Sequence, residues 1–400
     1  MTTIAIQYLE HTAGVSAHNA REKLRAAFDI LPIEKLIIGW NLSESLVTMC
    51  ADECRKNGTS LYLWQPLLTS DGLFSPDPAW YTVGLNNKPV PGFEQLPEFT
   101  FACPNRPQVR EAVINHIQST IKNGPYQGIF LDRIRFPSPT TAPDEQLACF
   151  CDACEKKAGL SGLDLNLVRK SIAALLQSRS GTETFVHLLF NPCCPAQEEE
   201  QAVHAFLLFR LQSISSLIHN VAAVIKKSGL SIGLDCFSSS LTHIVGQNLR
   251  SLAACSDWIK IMCYAHTYGV AGLPYEFIQL INWLVQKKGF TEYEAIALVA
   301  QATGLPFPHT IKDIRQKGFS PKALEKEIQK ARDAGAKNLF AGIELVDQES
   351  ITLLHDEQIK ADLAAFKNAG AQGLVLSWDL WCMPMKRLKQ VKRSFEIKQQ

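Results

Sequence analysis

Two kinds of apolar spacing alternate along the chain. Short, continuous runs rich in Ile, Leu and Val give way to longer stretches where apolar positions recur every three or four residues. The first pattern suits buried strands and the second an amphipathic helix. TIAIQYL (3–9), KLIIGWN (35–41), SLYLWQP (60–66), QGIFLDRIRF (127–136), LSIGLDCFS (230–238), DWIKIMCYA (257–265), NLFAGIEL (338–345) and QGLVLSWDL (372–380) are read as eight strands. AREKLRAAFDIL, ESLVTMCADECRKNG, PQVREAVINHIQSTIKNG, PKALEKEIQKARDAGA and IKADLAAFKNAGA are read as helices between them. This alternation marks parallel α/β architecture. Eight units predict a (β/α)8 TIM barrel, one domain over residues 1–400. A doubly wound sheet would carry a glycine-rich turn after its first strand, and QYLEHTAGVS is not one.

Three connections are much longer than ordinary βα loops. They run over about 67–104, 138–200 and 266–318, after strands 3, 4 and 6. Each follows a strand, so all three are expected on the C-terminal face, where barrel enzymes build their sites. Phe74, Trp80, Tyr81, Tyr275 and Trp283 supply rings there, suited to flat ligands or to packing the loops themselves.

Composition narrows the setting. With 40 basic and 39 acidic residues, formal net charge is +1. No basic face follows, so no nucleic-acid partner is expected. No uninterrupted apolar stretch reaches the roughly 18 residues of a membrane span, and MTTIAIQYLE lacks the marks of a secretory signal. A cytoplasmic protein without a membrane partner is expected. Homo-oligomerisation stays open. Twelve cysteines in such a chain do not form a disulfide framework. Cys50 and Cys54 suit one buried helix face, and no role follows for Cys193 and Cys194.

Cys149, Cys151 and Cys154 crowd into six positions after the fourth strand, and Cys103 sits where the third loop enters its helix. Adjacent strands place those two loops side by side, so four thiols can converge on a closed structural Zn2+ site. A redox Cys-x-x-Cys would need a different fold, and the neighbouring thiols favour metal. Cys103-Pro104-Asn105, Pro107 to Glu111 and the three clustered cysteines resemble the zinc pattern of family 42 β-galactosidases over roughly residues 99–156. Those are retaining TIM-barrel glycosidases. The fourth strand departs from that family: where it ends in Asn-Glu, this chain has Leu131-Asp132-Arg133. GIFLDRIRFP resembles the strand ending of other barrel-fold glycosyl hydrolases.

The resemblance implies a glycoside hydrolase acting on a carbohydrate, and glycoside cleavage needs two carboxyl groups. Acids at strand ends are Asp132, Asp235, Glu344 and Asp379. Carrying over the strand-4 and strand-7 arrangement implies Asp132 as acid/base and Glu344 as nucleophile, with retention of configuration. Arg133 and Arg135 beside Asp132 favour instead a charged nucleophile on strand 4. Lys260 and Tyr264 share a face of strand 6, and with His266, Asp235, Asp379 and Arg135 they are expected to contact substrate. Trp378 is expected to stack on a sugar ring, and Gln7, Trp40, Asn41 and Gln65 to close strands one to three and line the pocket. Two rivals remain: a Schiff-base lyase using Lys260, and a carbohydrate-binding barrel without catalysis.

Overall fold

A computed structural model describes residues 2–10, 14–69, 77–96, 99–190, 195–352 and 354–395. Phe74, Cys193 and Cys194 therefore lie outside the described residues. Eight parallel strands close in sequence order into a barrel. They are β1 (Thr3–Tyr8), β2 (Ile33–Ile38), β3 (Ser60–Pro66), β4 (Gly128–Asp132), β5 (Ser231–Cys236), β6 (Trp258–Met262), β7 (Leu339–Glu344) and β8 (Gly373–Ser377). Every expected strand is present, with some ends shifted. β4 stops at Asp132, four residues before its expected end, because Arg133 turns to φ 52°.

The barrel interior is aromatic. Tyr62, Trp64, Phe130, Trp258 and Phe340 form an inner cluster with Ala5, Ile37 and Val375, separate from the larger core under the helices. Phe130 and Trp258 stack with ring centroids 5.0 Å apart. Glycines make room for these rings. A Cβ at Gly128 would lie 2.2 Å from Tyr62, one at Gly233 2.3 Å from Trp258, and one at Gly373 2.4 Å from Phe340. Alternation then carries Asp132 and Lys260 inward, above Phe130 and Trp258.

The described parts of the long connections carry structure of their own. Short bridges join Thr69 to Phe101, Tyr81 to Ala102 and Val83 to Pro89 in the one after β3. The one after β4 holds helices Pro143–Gln146, Asp152–Leu160, Leu165–Leu175 and Arg179–Phe190 before the helix Glu198–Lys227. That last helix is long and apolar enough to span a bilayer by composition alone. Here it packs on helices Pro107–Asn123 and Leu165–Leu175, with Val203, Phe206, Ile214 and Ile218 buried. Helices Leu273–Lys288, Glu292–Thr303 and Ile311–Lys317 fill the connection after β6.

Candidate functional site

At the C-terminal end of the barrel, Lys260 Nζ donates to Asp235 Oδ2 at 2.9 Å and to Gln7 Oε1 at 3.0 Å. Ser377 Oγ donates to the same Gln7 oxygen at 2.6 Å. Lys260 is fully buried and lies against Gly342, where a Cβ would meet its Cε at 2.6 Å. Burial alone would lower the Lys260 ammonium. The Asp235 charge, then Tyr264 and hydrogen bonds to both, outweigh burial and hold it above its ordinary range. Burial pushes the Asp235 carboxyl up to about 7 against the pull of Lys260, and Asp132 adds to the rise. Asp235 Oδ1 is buried with no hydrogen-bond partner among the described residues.

Asp132 stands beside this group. Its Oδ2 accepts from Trp64 Nε1 at 3.0 Å and its Oδ1 from the Arg133 N–H at 2.5 Å. Trp40 packs edge-on to Trp64 at 5.1 Å, and the Arg133 guanidinium lies 5.9 Å from the Trp40 ring. Trp378 meets Tyr264 edge-on at 5.7 Å. Two carboxyls, an ammonium and partly exposed tryptophan edges thus converge on one mouth.

Glu344 has other partners. It lies opposite Ser377 in the β7–β8 register, and its Oε1 accepts from the His266 N–H at 2.8 Å. Its Oε2 is buried without a partner among the described residues. Burial pushes the carboxyl up to about 7, opposed by His266 and reinforced by Asp362. His266 Nε2 reaches Asp362 Oδ2 at 2.9 Å and Nδ1 reaches Lys317 O at 3.2 Å, so a doubly protonated ring satisfies both. Burial would lower His266, but Asp362 and then Glu344 raise it. A cavity of about 480 Å³ opens beside His266 and Asp362.

Other expected contacts are placed differently. Asp379 accepts from the backbone N–H groups of Leu9 at 2.7 Å, Glu10 at 3.1 Å and Trp381 at 2.9 Å, bracing the exits of β1 and β8. Gln65 lies on the outer side of β3, where its Oε1 meets His116 Nε2 at 3.0 Å. Asn41 is exposed. Arg135 is held between Phe101 and Phe237, 4.5 and 4.1 Å from the two ring centroids.

Sequence reasoning passed over Glu10. It follows β1, and its carboxyl is pushed up to about 8 by burial, then by Asp379, against Arg133, with Asp132 adding and Lys260 opposing. Those neighbours place it at the same mouth. The signal was present: QYLE ends a barrel strand in an acid, the criterion that selected Asp132.

The four cysteines do converge. Cys103, Cys149, Cys151 and Cys154 are buried, their sulfurs all within 4.8 Å of one another. Cys103 Sγ is 3.4 Å from Cys154 Sγ and 3.6 Å from Cys151 Sγ. Tetrahedral thiolates at about 2.3 Å from a metal stand about 3.8 Å apart, so the donor set fits a closed metal site. N–H groups point at the sulfurs: Val83 N at Cys149, Asn105 N at Cys103 and Asn105 Nδ2 at Cys154, at 3.3 to 3.4 Å. Arg210 supplies a second observation. It is fully buried, donates to the carbonyls of Ala148 and, at 2.8 Å, Ile244, and has no carboxylate partner among the described residues. Metal-bound thiolates of Cys149 and Cys154 would offset the cost of its buried charge. None of the ten described free cysteines forms a disulfide.

No family model and no curated protein matches the chain. Solved structures do. The PgaB (BpsB) glycoside hydrolase domain from Bordetella bronchiseptica is similar with a TM-score of 0.56 at 11% identity, covering 98% of each chain. An alpha-L-fucosidase isoenzyme 2 from Paenibacillus thiaminolyticus gives 0.52 at 11% identity, over 99% of this chain and 49% of that one. A class V chitinase from Pseudomonas fluorescens Pf-5 gives 0.50 at 9% identity, over 99% and 100%. At such identities the likeness is one of fold, a barrel shared with glycoside hydrolases.

Proposed function

We propose that residues 1–400 form one catalytic barrel, a glycoside hydrolase that cleaves an O-glycosidic bond with Asp132 and Glu344. The reading rests chiefly on the contrast between these two acids at the C-terminal strand ends. Asp132 accepts two N–H hydrogen bonds, the pattern of a carboxylate, while Glu344 is buried with one oxygen unpartnered among the described residues and is pushed up to about 7. That contrast suits a nucleophile and a proton donor. The neighbours named above share its barrel and are glycoside hydrolases, which supports the class.

In this reading an Asp132 oxygen attacks the anomeric carbon as the glycosidic C–O bond breaks, and Glu344 gives its proton to the leaving oxygen. Water then displaces Asp132, with Glu344 taking the water's proton back, and configuration is retained. Lys260, Tyr264 and Asp235 meet sugar hydroxyls, and Trp378 and Trp40 meet ring faces. A 4-nitrophenyl glycoside panel tests the class. Release of nitrophenol from none of them, with sugars still bound, would favour a binding barrel. Proton NMR of the first-formed anomer tests retention.

The donor's proton sets a pH dependence. Because Glu344 is raised, it is protonated below about 7 and loses the proton above. Turnover should therefore fall as pH rises through about 7. A second reading gives the donor role to Glu10, whose neighbours include Asp132 and whose value is about 8. A falling limb near 8, abolished in Glu10→Gln and kept in Glu344→Gln, would select it.

Lys260 is paired with Asp235 and held charged, whereas a Schiff-base lysine attacks as the free amine. Borohydride should trap no imine with keto substrates, and Lys260→Met should slow turnover without replacing one chemistry by another. An irreversible adduct on Lys260 would move the reading to a lyase.

We assign the four-cysteine site to one structural Zn2+, supported by the all-thiol donor set and by the family 42 resemblance. When bound, the ion cross-links the connections after β3 and β4. Cys103, Cys149, Cys151 and Cys154 would fill its coordination, leaving no position for substrate. Elemental analysis should find one zinc per chain.

A further inference from the structure

Beyond the mouth, a cavity of about 230 Å³ lies among the connections after β3, β4 and β6. Phe93, Phe99, Phe101, Arg135, Tyr275 and Glu276 line it. Its walls are locked together. Phe93 meets Phe99 edge-on at 5.8 Å and Tyr275 at 5.2 Å. Glu276 accepts from Ser138 at 2.6 Å, Thr140 at 2.7 Å and the Ala271 N–H at 3.2 Å, tying the β4 connection to the β6 connection. Arg135 makes one hydrogen bond within the described residues, from Nη1 to Phe136 O at 3.1 Å. The rest of its planar fork has no acceptor among those residues, although the side chain is only 5% exposed.

The cavity adjoins the proposed site of cleavage. Arg135 lies three residues beyond Asp132, and Asp132 and Asp235 are among the charges that act on it. The Arg133 guanidinium bridges the two places, 4.8 Å from Phe99 on one side and 5.9 Å from Trp40 on the other.

We propose that this cavity is a second sugar subsite that takes one neutral pyranose unit of an oligosaccharide, with ring faces on Phe93 and Tyr275 and hydroxyls on Arg135. The proposal rests on the glycoside hydrolase reading and adds the substrate class, a chain of at least two sugars. Size supports a single ring: drug-sized ligands fill about 300–1,000 Å³, more than is present. Charge supports neutrality. Asp132, Asp235 and Glu276 outnumber Arg133 and Arg135, so a uronic acid carboxylate would be disfavoured.

The test compares 4-nitrophenyl monosaccharides with the matching trisaccharides of the gluco, galacto and N-acetylglucosamine series. Variants are Tyr275→Ala and Phe93→Ala, each checked for unchanged melting temperature. In the wild type, lengthening the active substrate should raise kcat/KM about tenfold or more, and each variant should lose most of that gain, about 1.4 kcal/mol for each factor of ten. A wild-type ratio near one, or a ratio unchanged by both variants, overturns the subsite while leaving the hydrolase reading intact. If no glycoside is cleaved, the hydrolase reading fails instead. Calorimetric titration with cellotriose, chitotriose, galactotriose and trigalacturonate then judges the cavity. Binding of a neutral trisaccharide that weakens about tenfold in the variants supports it. Preferential binding of trigalacturonate, or no binding, overturns it.

Discussion

Glu344→Gln should lower turnover by about 10²–10⁴-fold, the range for removing one acid–base group, and Asp132→Asn, which removes the proposed nucleophile, should lower it at least as far, while both variants are expected to fold. The substitutions are nearly isosteric. The new asparagine keeps a carbonyl oxygen for one of the two N–H groups on Asp132, the Trp64 indole or the Arg133 backbone, and loses the other bond, while the new glutamine keeps an oxygen for the His266 N–H; shape is preserved in both. What each loses is a charge or a proton needed in the transition state. The two variants also separate on activated substrates. With a dinitrophenyl leaving group, which departs without protonation, Glu344→Gln should recover part of its rate and Asp132→Asn none. Near-native turnover in both, on a confirmed substrate, would refute the assignment. Loss in Glu10→Gln in place of Glu344→Gln would move the donor across the mouth to β1.

Loss of the proposed metal should act on stability first. Cys154→Ser, or prolonged chelation, should lower the melting temperature by about 5–10 °C, following the loss of roughly 3–5 kcal/mol when a buried charge is left unpaired. The reason is local. Arg210 is buried, its Nη2 has no partner among the described residues, and metal-bound thiolates of Cys149 and Cys154 would act on it as counter-charges. Arg210→Met tests this account directly. In protein loaded with zinc it removes the counter-charge and should weaken metal retention during chelator titration. In metal-free protein it should raise the melting temperature above that of metal-free wild type, because the unpaired charge is no longer buried. Activity measured well below the transition should persist, because no cysteine of the cluster belongs to the proposed reaction. An unchanged melting temperature in Cys154→Ser would show that the cluster carries no metal of consequence.

Some of the site was legible and some was not. Asp132 could be found because a strand pattern ended in an acid, and Lys260 because an ammonium inside an apolar strand requires a partner. The identity of that partner was not legible. Asp235 lies on the neighbouring strand, but Gln7 and Ser377 come from opposite ends of the chain and meet only when β1 pairs with β8. Asp379 looked like a substrate contact by position. Its oxygens are instead taken by Leu9, Glu10 and Trp381 backbone, since the loop after β1 turns under it.

Local spacing already specifies the eight strands, their order along the chain and the clustering of the thiols: continuous apolar runs, helical periodicity, and cysteines too close together to be chance packing. Which acids share an environment follows from the closed barrel. Asp235 and Glu10 lie with Asp132, whereas Glu344 lies with His266 and Asp362. Electrostatic character is set by burial and by charges brought in from other strands, and barrel closure, which no local pattern encodes, fixes both.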